Sequence, residues 1–147
     1  MTQLTEHFST DELTFSETAV RRGIDNTPDA EVLTNLQMLA YGLERMRSIL
    51  GYPVNVSSGY RSPKLNAAIG GSKSSQHMQG LAADFTCRGF GSPRDVCIAL
   101  EREGSYIGFD QLINEGSWVH ISFSDQPRGE VLTAHFNNGK ATYTKGL

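Results

Sequence analysis

Between Pro28 and Gly51 the chain carries apolar residues at Val32, Leu36, Leu39, Leu43, Met46 and Leu50. These steps of three and four put all six on one side of an α-helix. Thr27 reads as the cap that accepts a hydrogen bond from the first free amides. Pro28 fits the first helical position, where no amide bond is lost, and Gly51 supplies a left-handed stop. A helix with one apolar stripe must bury it, so the fold is expected to form around this element. The stripe reads as core rather than as a partner-binding face, because 147 residues form one domain of ordinary size that needs such an element to pack against. A single domain over residues 1–147 is expected.

The flanking segments divide by period. Ser9-Thr10-Asp11-Glu12 has the spacing of a capping box, which predicts a helix over 10–22 ending at Gly23. After Pro53, Val54 to Ser57 alternates as a half-buried strand should, and Gly59 opens a turn carrying Tyr60 and Arg61. Ser62-Pro63 starts a short helix that stops at Gly70-Gly71, and 71–80 reads as a polar loop. Leu81 to Thr86 is a strand with Leu81, Ala83 and Phe85 toward the core and Asp84 on the other face. A helix over 93–103 stops at Gly104, strands follow at 109–114 and 117–123, and Asn138-Gly139 joins 131–136 to 140–144 in a tight hairpin. The class is α+β, with N-terminal helices packed on a small, mainly antiparallel sheet.

Composition excludes several functions. With 38% hydrophobic and 20% charged residues the chain is an ordinary soluble globular protein. A net charge of -3 argues against nucleic-acid binding, which needs clustered cations. No apolar run approaches the roughly 20 residues of a membrane helix. The start MTQLTEHFSTDE lacks the basic and apolar regions of a secretory signal, so synthesis in the cytoplasm is expected, with other means carrying the protein to any substrate outside. Cys87 and Cys97 form no CxxC pair and read as free, partly buried thiols.

Three residues of metal-binding type fall at informative places. His77 lies on the glycine-bounded loop, and Asp84 on the outward face of the next strand. In Trp118-Val119-His120-Ile121-Ser122-Phe123, the residues Val119, Ile121 and Phe123 form the apolar face, so His120 projects from the polar one. Two imidazoles and one carboxylate leave a tetrahedral zinc one open position, as catalytic sites require. Taken singly, His77 also reads as a surface loop histidine, Asp84 as a solvated strand residue and His120 as a satisfied core histidine.

The ordered strings SGYRS, SSQHMQGLAADF and WVHISF weigh against that bland reading. They resemble the zinc D-Ala-D-Ala carboxypeptidases and L-alanyl-D-glutamate endopeptidases, the LAS-type murein peptidases. The resemblance implies that Ser75-Gln76-His77, Gly80-Leu81-Ala82-Ala83-Asp84 and Trp118-Val119-His120 supply the three ligands of one Zn2+ per chain. The opening FSTDELTFSETAVRRGIDNTP also looks like the phage and prophage branch of these enzymes.

The resemblance assigns further roles. Arg61, in the Ser-Gly-Tyr-Arg turn, is expected to hold a substrate carboxylate or the oxyanion formed on the attacked carbonyl; its bland alternative is a surface arginine paired with an acid. Glu115 is the expected general base. Parity opposes it, because five residues separate Glu115 from His120 and only a bend at Gly116 would turn both to one face. Asp110 is the alternative base, or an acceptor orienting the His120 ring from across a hairpin. Ser75 is expected to bind substrate or shape its loop, as is Gln76, and His7 and His135 have no place in the site.

The expected function is zinc-dependent hydrolysis of peptide bonds in peptidoglycan stem peptides, as a DD-carboxypeptidase or an L-Ala-D-Glu endopeptidase. The resemblance places it at the cell wall as an endolysin or virion-associated hydrolase, acting as a monomer without nucleic acid or membrane. The alternative is a non-catalytic murein-binding module of the same fold. A serine or cysteine hydrolase is disfavoured, because no GxSxG elbow is present.

Overall fold

A computed structural model describes residues 2–147. Its elements in chain order are α1 (Thr10–Thr14), α2 (Glu17–Arg22), α3 (Ala30–Leu50), β1 (Asn55–Ser58), α4 (Pro63–Ala68), a 3-10 turn (Gln76–Gln79), β2 (Ala82–Thr86), α5 (Pro93–Arg102), α6 (Gly104–Ile107), β3 (Gln111–Asn114), β4 (Val119–Ser122), β5 (Glu130–Asn137) and β6 (Lys140–Lys145).

The long helix is the organiser that its pattern predicts. All six stripe residues of α3 are at most 8% exposed, and Gly51 closes the helix in the left-handed region. The start is corrected: the cap is Asp29, whose Oδ1 accepts from the Val32 amide at 2.9 Å. Thr27 instead donates its own amide to Asp25 Oδ1. A carboxylate at this position adds attraction to the positive end of the helix, which a threonine lacks. The helix expected over 10–22 is also corrected to two pieces. Ser16 accepts from the Ala19 amide and caps α2, leaving Phe15 extended; such local hydrogen bonds compete with a continuous helix. The loop at 71–80 contains the 3-10 turn, and Gly104, expected as a stop, begins the short α6.

The sheet runs β1-β2-β4-β3-β5-β6. Neighbouring strands are antiparallel except β3 and β5, which are parallel. The cause lies in residues 123–129, which cross the start of β3 and lay β5 on its outer side. Asp110 pins that crossing. Its Oδ1 accepts from the Arg128 amide at 2.8 Å and Nε at 2.9 Å, and its Oδ2 from Arg128 Nη2 at 2.8 Å. Its carbonyl accepts from the Glu130 amide at 2.9 Å.

Helices cover one face of this sheet. Leu36, Leu39, Leu43 and Met46 of α3 and Val96, Cys97 and Leu100 of α5 share a core with Ala83, Phe85, Leu112, Val119 and Ile121. Strand alternation sends Asp84, His120 and Ile113 to the opposite face, where a cavity lies. Both cysteines are free and fully buried, and burial pushes the Cys97 thiol up to about 12, so it is no nucleophile at neutral pH. Among the described residues, no helix is long and apolar enough to cross a membrane.

Candidate metal centre

His77 sits in the 3-10 turn, which Ser75 caps by accepting the His77 amide at 3.2 Å. The turn is fastened to the Ser58–Ser62 segment from both sides. His77 Nδ1 donates to the Gly59 carbonyl at 2.7 Å, and the Arg61 amide donates to the His77 carbonyl at 3.0 Å. Gly59 must be glycine here: a Cβ would meet the Leu13 carbonyl oxygen at 2.3 Å. Asn26 holds the same segment, donating to the Thr14 and Tyr60 carbonyls and accepting from the Ser62 amide. Asp84 and His120 face each other across the β2–β4 pair, in direct register.

These placements bring one donor atom from each of His77, Asp84 and His120 within 4.8 Å of one another. A carbonyl oxygen only accepts, so His77 Nδ1 carries the proton and Nε2 is a bare lone pair in the neutral ring. That lone pair lies 3.3 Å from Asp84 Oδ1, and His120 Nδ1 lies 3.0 Å from the same oxygen. Two nitrogens converging on one carboxylate oxygen require protons or a cation among them. A tetrahedral zinc with ligands at about 2.0–2.1 Å separates neighbouring donors by about 3.3 Å, so the donor set fits that ion. Burial works against the Asp84 charge, but the hydrogen bond from His120 and the closeness of the His77 ring outweigh it and hold the carboxyl far below the usual range.

A cavity of about 460 Å³ opens over these groups, lined among others by Arg61, Ser75, Glu115, Trp118 and Tyr143. Glu115 reaches it without breaking parity. In the β3–β4 hairpin Ile113 is opposite His120, and the Glu115 amide donates to the Trp118 carbonyl at 3.0 Å. Residues directly opposite share a face, so Ile113, Glu115, Trp118 and His120 all point to the cavity. Gly116, with φ 87°, takes up the reversal. Burial raises the Glu115 pKa above the ordinary glutamate value, with His120 opposing the rise.

A family model described as peptidase M15 matches residues 6–122, most of the chain and all three converging residues. The chain belongs to the peptidase M15 family. The M15 match ends before β5 and β6, which lie wholly beyond it. The chain is also similar to the zinc D-Ala-D-Ala carboxypeptidase of Streptomyces albus G, 34% identical over 88 residues, or 59% of this chain and 32% of that protein. It thus spans about a third of the length of that relative.

Against this M15 frame, the remaining expected residues separate. Arg61 lines the cavity, but its hydrogen bonds go to the protein: Nη2 to Asp84 Oδ2 at 3.1 Å, Nε to Ser58 Oγ at 3.0 Å and Nη1 to Asn66 Oδ1 at 3.3 Å. It steadies the carboxylate that faces the two histidines. Asp110 is corrected. Ile113, not Asp110, lies across from His120, and both Asp110 oxygens are taken by Arg128 and by Gln76 Nε2 at 3.0 Å. The crossing to β5 claims it. His7 pairs with Glu44 and His135 with Thr144, away from the cavity. Sequence reasoning missed Asn26, Arg128 and Tyr143. The first two act through contacts distant in sequence, while for Tyr143 the one available signal is that it is the single aromatic residue of a polar strand.

Proposed function

We propose that this chain is a zinc-dependent peptidase that hydrolyses peptide bonds in peptidoglycan stem peptides. The reading rests on one observation above the rest: two imidazole nitrogens and a carboxylate oxygen converge beside a cavity that also holds a free carboxylate, Glu115. Membership of a peptidase family and similarity to a zinc D-Ala-D-Ala carboxypeptidase support it.

His77, Asp84 and His120 would hold the ion. Zinc, when bound, supplies a Lewis acid that lowers the pKa of water toward about 7 and polarises the scissile carbonyl. Glu115 takes the proton of the attacking water and returns it to the leaving amine, a role its burial favours by raising its proton affinity. Arg61 keeps the Asp84 carboxylate turned toward the histidines and adds positive charge beside the carbonyl oxygen as it becomes an oxyanion. Ser75 fixes the turn that presents His77. The bond cleaved is a terminal D-Ala linkage or the L-Ala to D-Glu linkage, and the protein acts as a monomer on the cell wall. The resemblance of residues 8–28 to phage and prophage enzymes favours an endolysin or virion-associated role.

The test is digestion of purified peptidoglycan with product masses read by mass spectrometry. A chelator should abolish release of peptide fragments or D-Ala, and zinc should restore it. Full activity in a sample verified to hold no metal would end the proposal. Binding to murein with no cleavage at any zinc concentration would favour the non-catalytic module.

A further inference from the structure

The β5–β6 hairpin lies outside the region matched by the family model, yet it builds one wall of the cavity. Leu132 stands beside Ile113 in the parallel β3–β5 pair, and Ala134 pairs with Tyr143 across the hairpin. The β3–β5 ladder ends at Asn114 and Thr133, so the Ala134–Tyr143 pair of the hairpin lies just past that end, where the chain leaves β3 at Glu115. Strands are about 4.8 Å apart. The small Ala134 leaves the Tyr143 ring free to lean across β5 toward Glu115, and both residues line the same cavity. Phe136, two residues further on, packs on Trp118 with ring centroids 6.5 Å apart, tying the hairpin to the strand that carries His120.

Tyr143 is half exposed, on a strand exposed along its length, and its hydroxyl has no hydrogen bond among the described residues. Partial burial, with the negative charges of Glu115 and Asp84, raises its pKa, so the phenol keeps its proton and remains a donor at neutral pH.

We infer that Tyr143 is a substrate-binding residue: its hydroxyl donates a hydrogen bond to a backbone carbonyl of the peptide held in the cavity, and its ring closes the side away from Arg61. The inference rests on the proposed peptidase reading for the identity of the ligand, a stem peptide. It assigns the C-terminal hairpin, which the family match leaves out, a part in recognition.

The chain holds one tryptophan, Trp118, and it lines the cavity, so its fluorescence reports occupancy independently of cleavage. Zinc-loaded parent protein, Tyr143→Phe, Tyr143→Ala and the control Tyr106→Phe, an exposed tyrosine outside the site, would be titrated with a defined stem pentapeptide. Cleavage would be followed in parallel. Tyr143→Phe should weaken binding about 5- to 10-fold, the worth of one hydrogen bond, with a matching rise in KM, unchanged zinc content and little change in kcat. Tyr143→Ala should weaken it further, and Tyr106→Phe should not change it. Parental affinity in Tyr143→Phe would overturn the inference. A parent that binds the peptide without cutting it would overturn the peptidase reading while the affinity ratio still decides Tyr143. A parent that neither binds nor cuts overturns both.

Discussion

At the scale of single residues, the site depends on who holds whom. His77 is aimed by a backbone carbonyl, Asp84 is shared between two imidazoles on one oxygen and Arg61 on the other, and the Glu115 carboxylate has no hydrogen-bonded partner among the described residues. This division yields a direct contrast between the two acids considered as base. Glu115→Ala should keep its zinc and lose about 100- to 10,000-fold in turnover, the usual worth of a positioned proton carrier. Asp110→Asn should leave the chemistry nearly intact and act on stability instead. Steady-state kinetics with metal analysis of both variants checks this, and the reverse pattern would exchange the roles assigned above. The residue types were legible in sequence because ligand chemistry admits so few of them. The occupation of Arg61 and Asp110 was not, since their partners lie up to 34 positions away.

At the scale of elements, periodicity made α3 readable and local polar contacts made its boundary less so. Both Thr27 and Asp29 satisfy the loose rule for a cap, and only the folded backbone decides which oxygen reaches a free amide. Asp29→Ala should therefore cost about 1 kcal/mol in denaturant unfolding, whereas Thr27→Ala should cost much less; equal losses would place the cap where the sequence alone puts it. The β3–β4 hairpin teaches a similar lesson. Counting five residues from Glu115 to His120 along an unbroken strand sets them on opposite faces, but a chain reversal between them restores a common face. The final hairpin was predictable because Asn138 and Gly139 both adopt positive φ, 53° and 78°, the geometry that suits the twist of its strands.

At the scale of the whole molecule, the Asp110–Arg128 contact joins the strands that carry Asp84 and His120 to the hairpin that walls their cavity. Arg128 hydrogen bonds, opposed by burial, hold the Asp110 carboxyl below its ordinary range. A depressed folded pKa contributes stability that is fully present above the unfolded value of about 3.9 and is lost as pH falls below it. Thermal melts of chelator-treated protein between pH 6 and pH 3 should show this acid loss, and Asp110→Asn should flatten it while lowering the melting temperature at pH 6. An unchanged acid slope in that variant would remove Asp110 from the account. Sequence by itself determined the apolar stripe of α3, the inward and outward faces of the strands and the three residues of metal-binding type, because each follows from local spacing or from side-chain chemistry. The parallel placement of β5, the engagement of Asp110 by Arg128 and the arrival of Tyr143 at the cavity that Glu115 lines were decided only by tertiary structure. They depend on which strand the returning chain lies against, and backbone hydrogen bonding between strands carries no side-chain signature that names the partner.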